Sequence, residues 1–146
     1  MSASNIADSL VTALSAASAF GTGNVSTNYA VLNSTSGSCA VITFSEFEIH
    51  QGVFGGGNGE IIWTFVVEAF AKDLGDAFST RNRTFSTVDT VINVLKTDPT
   101  VQGSVEDLVA IRGGKAILGE DKILESGETG WIYMPIEVDL KEWPNG

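Results

Sequence analysis

Between Phe78 and Lys96 the chain carries an amphipathic segment that has to end at Asp98-Pro99, after which a short polar turn leads into a new apolar run at Val105. Phe78, Phe85, Val88, Val91, Ile92 and Leu95 recur at helical spacing, which predicts one apolar face, with Arg81, Asn82, Asp89, Asn93 and Lys96 on the other. Proline has no amide hydrogen and pushes the residue before it out of helical geometry, so the helix stops there. A helix with one apolar face needs a second layer to cover.

The strands on either side supply that layer. Cys39 to Glu48 and Glu60 to Lys72 read as the two arms of a long hairpin, joined by the glycine-rich segment Gly52 to Gly59. In the second arm Ile61, Trp63, Phe65, Val67 and Ala69 alternate with mixed residues, so one face belongs to a core. Val105 to Arg112 and Gly130 to Lys141 read as two more strands, separated by a glycine-rich and charged excursion from Gly113 to Thr129. In the last strand Ile132, Met134, Ile136, Val138 and Leu140 form the apolar face. Near the start, Ile6, Leu10, Leu14 and Ala17 lie on one helical stripe, which predicts a helix over residues 5 to 19, capped by Ser4 or Asn5 and ended by Gly21 and Gly23. Thr22 to Ser38 reads as an extended surface connection. The expectation is a single α+β domain over residues 1–146, in the order α-β-β-α-β-β, with a four-stranded antiparallel sheet and both helices on one face.

Charge narrows the partners. The chain has 18 acids against 8 bases, a net charge of -10, and no lysine or arginine occurs before Lys72. Specific nucleic-acid binding is disfavoured, because phosphate affinity needs cations to displace counterions. Cys39 is the one cysteine, so no internal disulfide forms, and it reads as a small buried strand residue. Leu10 to Phe20 imitates a signal peptide, but the charge ahead of it is the acid Asp8 rather than a basic region. No apolar run approaches the roughly 20 residues that span a bilayer, so no membrane association is expected.

The catalytic inventory is thin. His50 is the sole histidine and borders the hairpin loop, where a solvated imidazole is the default; no metal site and no catalytic residues are expected. The Gly55 to Gly59 cluster leads into a strand, whereas a phosphate loop has to open a helix. Glu46 and Glu48 share a strand face, as the two carboxylates of a hydrolase do, but solvated acids are far commoner. Taken together, Glu46, Glu68, Glu137 and Asp139 fall on the sheet face that also holds Val66, Phe70, Trp131 and Tyr133, which makes that face both acidic and apolar. Aromatic residues suit a subunit interface, and carboxylates suit a passage that DNA slides through without sticking.

The run Leu95-Lys96-Thr97-Asp98-Pro99-Thr100-Val101-Gln102-Gly103-Ser104-Val105 after an amphipathic helix resembles the tail-terminator and tail-completion proteins of long-tailed bacteriophages, where Asp-Pro-Thr-Leu-Gly-Gly-Thr-Val follows the second helix. Val101 and Gln102 stand where that family has leucine and its first glycine. The likeness extends to element order over most of the chain, including the strand pattern at Trp63, Phe65 and Val67 and the final strand from Gly130 to Val138. It implies a virion protein, assembled in the host cytoplasm, that forms a hexameric ring at the head-proximal end of the tail, stops growth of the tail tube and offers the surface the head joins. The partners implied are further copies of the chain, the tail-tube protein and a neck or head-closure protein, with DNA passing through unbound and no cofactor.

On that resemblance, His50, Gly52, Val53, Phe54, Gly55 and Asn58 are the candidates for contact with the tube. Phe70, Trp131 and Tyr133, with Arg81 and Arg83 on the second helix, are the candidates for subunit contacts. Glu46, Glu68, Glu137 and Asp139 are the candidates for the channel face. A head-closure or other neck ring is the nearest alternative, and binding to tails made without heads separates the two. A small ligand-binding domain with Phe70, Trp131 and Tyr133 in its pocket is the alternative from another class.

Overall fold

The computed structural model describes residues 3–17, 20–27, 38–50, 59–71, 77–113, 117–119 and 131–142. Its elements are α1 (Ala3–Ser15), β1 (Phe20–Ser26), β2 (Ser38–His50), β3 (Glu60–Ala71), α2 (Ala77–Thr97), β4 (Asp107–Gly113), β5 (Ile117–Gly119) and β6 (Trp131–Glu142). The chain is α+β, with two helices and one mixed sheet in the order β1-β2-β3-β6-β4, while β5 pairs with β6 beyond the end of β4. The β2–β3, β3–β6, β4–β6 and β5–β6 pairs are antiparallel, as alternating apolar hairpin strands demand.

Two features correct the expected four-stranded antiparallel sheet and its α-β-β-α-β-β order. The first is β1, which pairs parallel to β2 with Phe20 opposite Ser38 and Val25 opposite Ala40. Phe20 and Val25 are both buried, so two apolar anchors in a glycine- and threonine-rich run are enough to hold an edge strand against a formed core. Gly21 and Gly23 therefore lie inside a strand rather than ending a helix, and α1 stops earlier, at Ser15. The second is β5, a three-residue strand within the expected excursion. Between the last β4 pair, Gly113 with Ile136, and the first β5 pair, Ile117 with Tyr133, β6 carries Pro135, which has no amide hydrogen to give to a ladder.

One core lies between the helices and the sheet. It takes Ile6, Leu10 and Leu14 from α1, Phe65, Val67 and Ala69 from β3, Ile136, Val138 and Leu140 from β6, and Val91 and Leu95 from α2. Both helices thus pack on the same face. Helix α2 is rotated from its expected orientation: Thr84 and Thr87 are fully buried with Val91 and Leu95, while Phe85 stays 44% exposed. Threonine is short enough for close approach of helix to sheet, and the Thr87 hydroxyl is satisfied by donating to the Arg83 carbonyl, 2.8 Å away.

The turn after α2 is built on Asp98. Its amide still donates to the Val94 carbonyl, while its carboxylate accepts from the Gln102 amide at 2.8 Å and from the Thr100 hydroxyl at 3.3 Å. Val101, Gln102 and Gly103 then run in succession through the left-handed region, with φ of 48°, 58° and 75°. For a β-branched residue that conformation is unfavourable by about 1–2 kcal/mol. Complete burial of the Val101 side chain, worth about 1.5–3 kcal/mol, offsets it. The Ser104 hydroxyl also donates to the Val101 carbonyl at 2.8 Å, which closes the turn.

Gly103→Ala is expected to lower stability by about 1 kcal/mol in urea unfolding, although a Cβ there meets nothing within 4 Å, because the cost lies wholly in the left-handed backbone. An alanine variant as stable as the parent contradicts this account of the turn.

Candidate functional site

The β2–β3 hairpin is longer than the helices that cover it. Along β2 burial is complete from Ser38 to Ile42, and every residue from Thr43 to Ile49 is exposed. The pairing slips between Phe44, opposite Phe65, and Glu46, opposite Thr64, so Ser45 is an extra residue in the strand. The bulge resets which residues share a face. Ile42 and Phe44 precede it on the helix side, and Phe47 and Ile49 continue that same side after it.

The result is an aromatic ledge projecting beyond the helices. Phe44, Phe47 and Ile49 are 41%, 55% and 52% exposed. Phe44 lies 5.5 Å centroid to centroid from the buried Phe65 in an edge-on arrangement, 6.0 Å from Trp63 and 6.5 Å from Phe47, and Phe47 lies 5.9 Å from Trp63. These spacings are those of favourable aromatic pairs, which hold the rings as one surface rather than as separate side chains. Among the described residues, the buried Trp63 indole N–H at the root of the ledge meets no acceptor. An open groove of about 330 Å³ continues the surface toward α1 between Ala3, Ala7, Thr27, Ile42 and Phe44. An exposed apolar surface of this kind is costly in water.

The opposite face of the sheet is organised by Arg112. Its guanidinium donates to Glu137 Oε2 at 2.9 and 3.0 Å and to the two Asp139 carboxylate oxygens at 2.6 and 3.1 Å. Thr64, buried in β3, donates its hydroxyl to Asp139 Oδ1 at 2.7 Å. The register makes this possible by placing Arg112 opposite Glu137, and Ala110 and Thr64 on either side of Asp139. A shallow pocket of about 240 Å³ opens beside the network, between Val66, Pro135 and Gly113. Arg112 was not among the expected site residues, because it lies on a strand whose partner and register a single sequence does not reveal.

The expected channel residues Glu46, Glu68, Glu137 and Asp139 do share this face by register. Two of the four are ion-paired to Arg112, so the face is less acidic than the residue count suggests. Burial pushes the half-buried Glu68 carboxyl above its usual range. Phe70 and Tyr133 are directly paired in the ladder, and Trp131 opens β6 opposite Gly119. Arg83 is exposed on α2, and Arg81 occupies the same helix one turn earlier than Phe85. His50 closes β2 opposite Glu60 rather than sitting in a loop. Gly52, Val53, Phe54, Gly55 and Asn58 lie outside the described residues.

The ledge itself was missed, although a signal for it exists. Ala40, Ile42 and Phe44 fall on even positions of β2 and Phe47 and Ile49 on odd ones, and such a change of phase marks a bulge that keeps one face apolar. Cys39 is fully buried in β2, as a small strand residue. Among the described residues there is no group of three or more metal-ligating side chains, and no helix is long and apolar enough to cross a membrane. By fold and surface the chain is an α+β domain with an aromatic ledge on one face of its sheet and an ion-paired network on the other. No known family model matches it, and no curated protein matches it.

The Arg112 guanidinium holds the Asp139 carboxyl below its usual range; burial opposes this and the Thr64 hydroxyl assists it. A carboxyl that holds its proton less tightly in the folded chain stabilises the fold above its unfolded pKa of about 3.9, and that contribution disappears as pH falls through the lower folded value. Arg112→Ala is expected to move the Asp139 titration upward in carbon-detected NMR, since burial then has only Thr64 against it. The stability cost at pH 7 is expected to stay under about 1 kcal/mol, because half of the Arg112 side chain is in water. An unmoved Asp139 titration refutes this assignment.

Proposed function

We propose that the protein is a ring-forming structural protein of the phage tail-terminator kind, which closes the head-proximal end of the tail tube and offers a joining surface to the head. The single observation that carries this reading is the ledge of Phe44, Phe47 and Ile49, a contiguous exposed apolar surface of the kind a subunit contact covers. The Asp98-Pro99-Thr100 turn after α2 adds the family resemblance. In this reading the chain acts by assembly, and its partners are further copies of itself, the tail-tube protein and a neck protein.

The Arg112 face suits the wall of a channel. Its carboxylates outnumber its cations and repel phosphate, its guanidinium is already engaged by Glu137 and Asp139, and Lys141 on the same face is not free either, so DNA meets a predominantly acidic wall. Within the virion the protein sits at the head-tail junction.

The experiment is electron microscopy of tails assembled without heads, with the protein marked by a gold-conjugated antibody. The reading predicts label at one end of each tail and rings of constant diameter in the free protein. Tails without label, or label scattered along their length, refute it. Phe47→Ser is expected to abolish the rings while leaving the far-ultraviolet circular dichroism unchanged, because Phe47 is more than half exposed in the single chain.

A further inference from the structure

We infer that the contact between subunits joins unlike surfaces: the hairpin ledge of one copy seats on the Phe85 side of α2 of the next. This rests on the ring reading above and names the partner surface for its exposed ledge.

Charge is the first argument. Residues 1–71 carry the acids Asp8, Glu46, Glu48, Glu60 and Glu68 and no lysine or arginine, so the hairpin arm is wholly acidic. Helix α2 is the opposite, with Arg81, Arg83 and Lys96 against the one acid Asp89, in a chain of net charge -10. On the side away from β3, no described strand flanks β2 beyond Val41, so Glu46 and Glu48 lie on the open edge strand whose helix side holds Phe47 and Ile49.

Shape and apolarity give the second. Because the core takes Thr84, Thr87, Val91 and Leu95, the helix leaves a separate stripe at its flank. Arg81, Phe85, Ile92 and Lys96 follow at spacings of four, seven and four, which places them in one line along the helix. Phe85 is 44% exposed in that line, with a cation on either side of the apolar pair. The arm offers rings fringed by carboxylates, and the helix offers an apolar stripe ended by cations.

Like cannot pair with like here. Two arms face to face bring Glu46 and Glu48 of both copies together, and two stripes bring their cations together, so each symmetric contact is opposed by charge while the mixed one is favoured. A contact between unlike patches repeats from copy to copy and closes into a ring when the rotation permits.

Two variants test this by analytical ultracentrifugation. One is altered on the arm, Glu46→Lys with Phe47→Ser; the other on the helix, Arg81→Glu with Phe85→Ser. The inference predicts that each variant alone sediments at the 15.4 kDa of one chain. An equimolar mixture is predicted to sediment at twice that mass, because the intact helix of the first meets the intact arm of the second, once and no further. The heterodimer also shows that both variants are folded. If the parent chain assembles but the helix variant alone still associates, or the mixture stays monomeric, this pairing is wrong and the ring reading survives. If the parent chain is itself a monomer at every concentration, both fall.

Discussion

A residue of β-strand is more than twice as long as a residue of α-helix, and that mismatch governs this molecule. Helix α1 and strand β2 each have 13 residues, yet at about 1.5 Å and 3.3 Å per residue they span roughly 20 Å and 43 Å. The helices can therefore seal only part of the hairpin. Where they cover it, Ile42, Phe65, Val67 and Ala69 are buried; where they end, Phe44, Phe47 and Ile49 stand in water. The Ser45 bulge turns what would be a polar continuation of that face into an apolar one. The ledge is thus a consequence of element lengths and one extra residue, and does not depend on any long loop.

The same sheet does two kinds of work. Its helix side is held by burial of apolar surface, which is non-directional and extends as far as the helices reach. Its other side is held by directional bonds that converge on Asp139 from Arg112 and Thr64, on strands that flank β6 from left and right. That network ties β3, β6 and β4 together across the face away from the helices. The two faces of the sheet therefore differ in chemistry, one apolar and aromatic, the other ionic.

Much of the scaffold was readable from the chain. Alternation in β3 and β6 gave the core face because both strands are buried by one layer and keep strict period two. The Asp98-Pro99 stop of α2 was equally plain, since proline's missing amide is a local fact. Strand β1 was hidden because its pairing is decided by Phe20 and Val25 against an existing core rather than by its own glycine-rich residues. The rotation of α2 was hidden because Thr84 and Thr87 look polar in isolation and pack as small residues. Arg112 could not be assigned, since only the register beyond the Leu108–Ala110 irregularity sets it beside Glu137 and Asp139. The left-handed turn likewise escaped, because Val101 adopts it for the sake of its own burial.

The central claim is that the ledge is covered by another copy of the chain. Native mass spectrometry of the full chain across a range of concentrations tests this most directly. The account predicts one dominant species at a fixed integer multiple of 15.4 kDa. A spectrum holding only the single-chain mass at every concentration contradicts it.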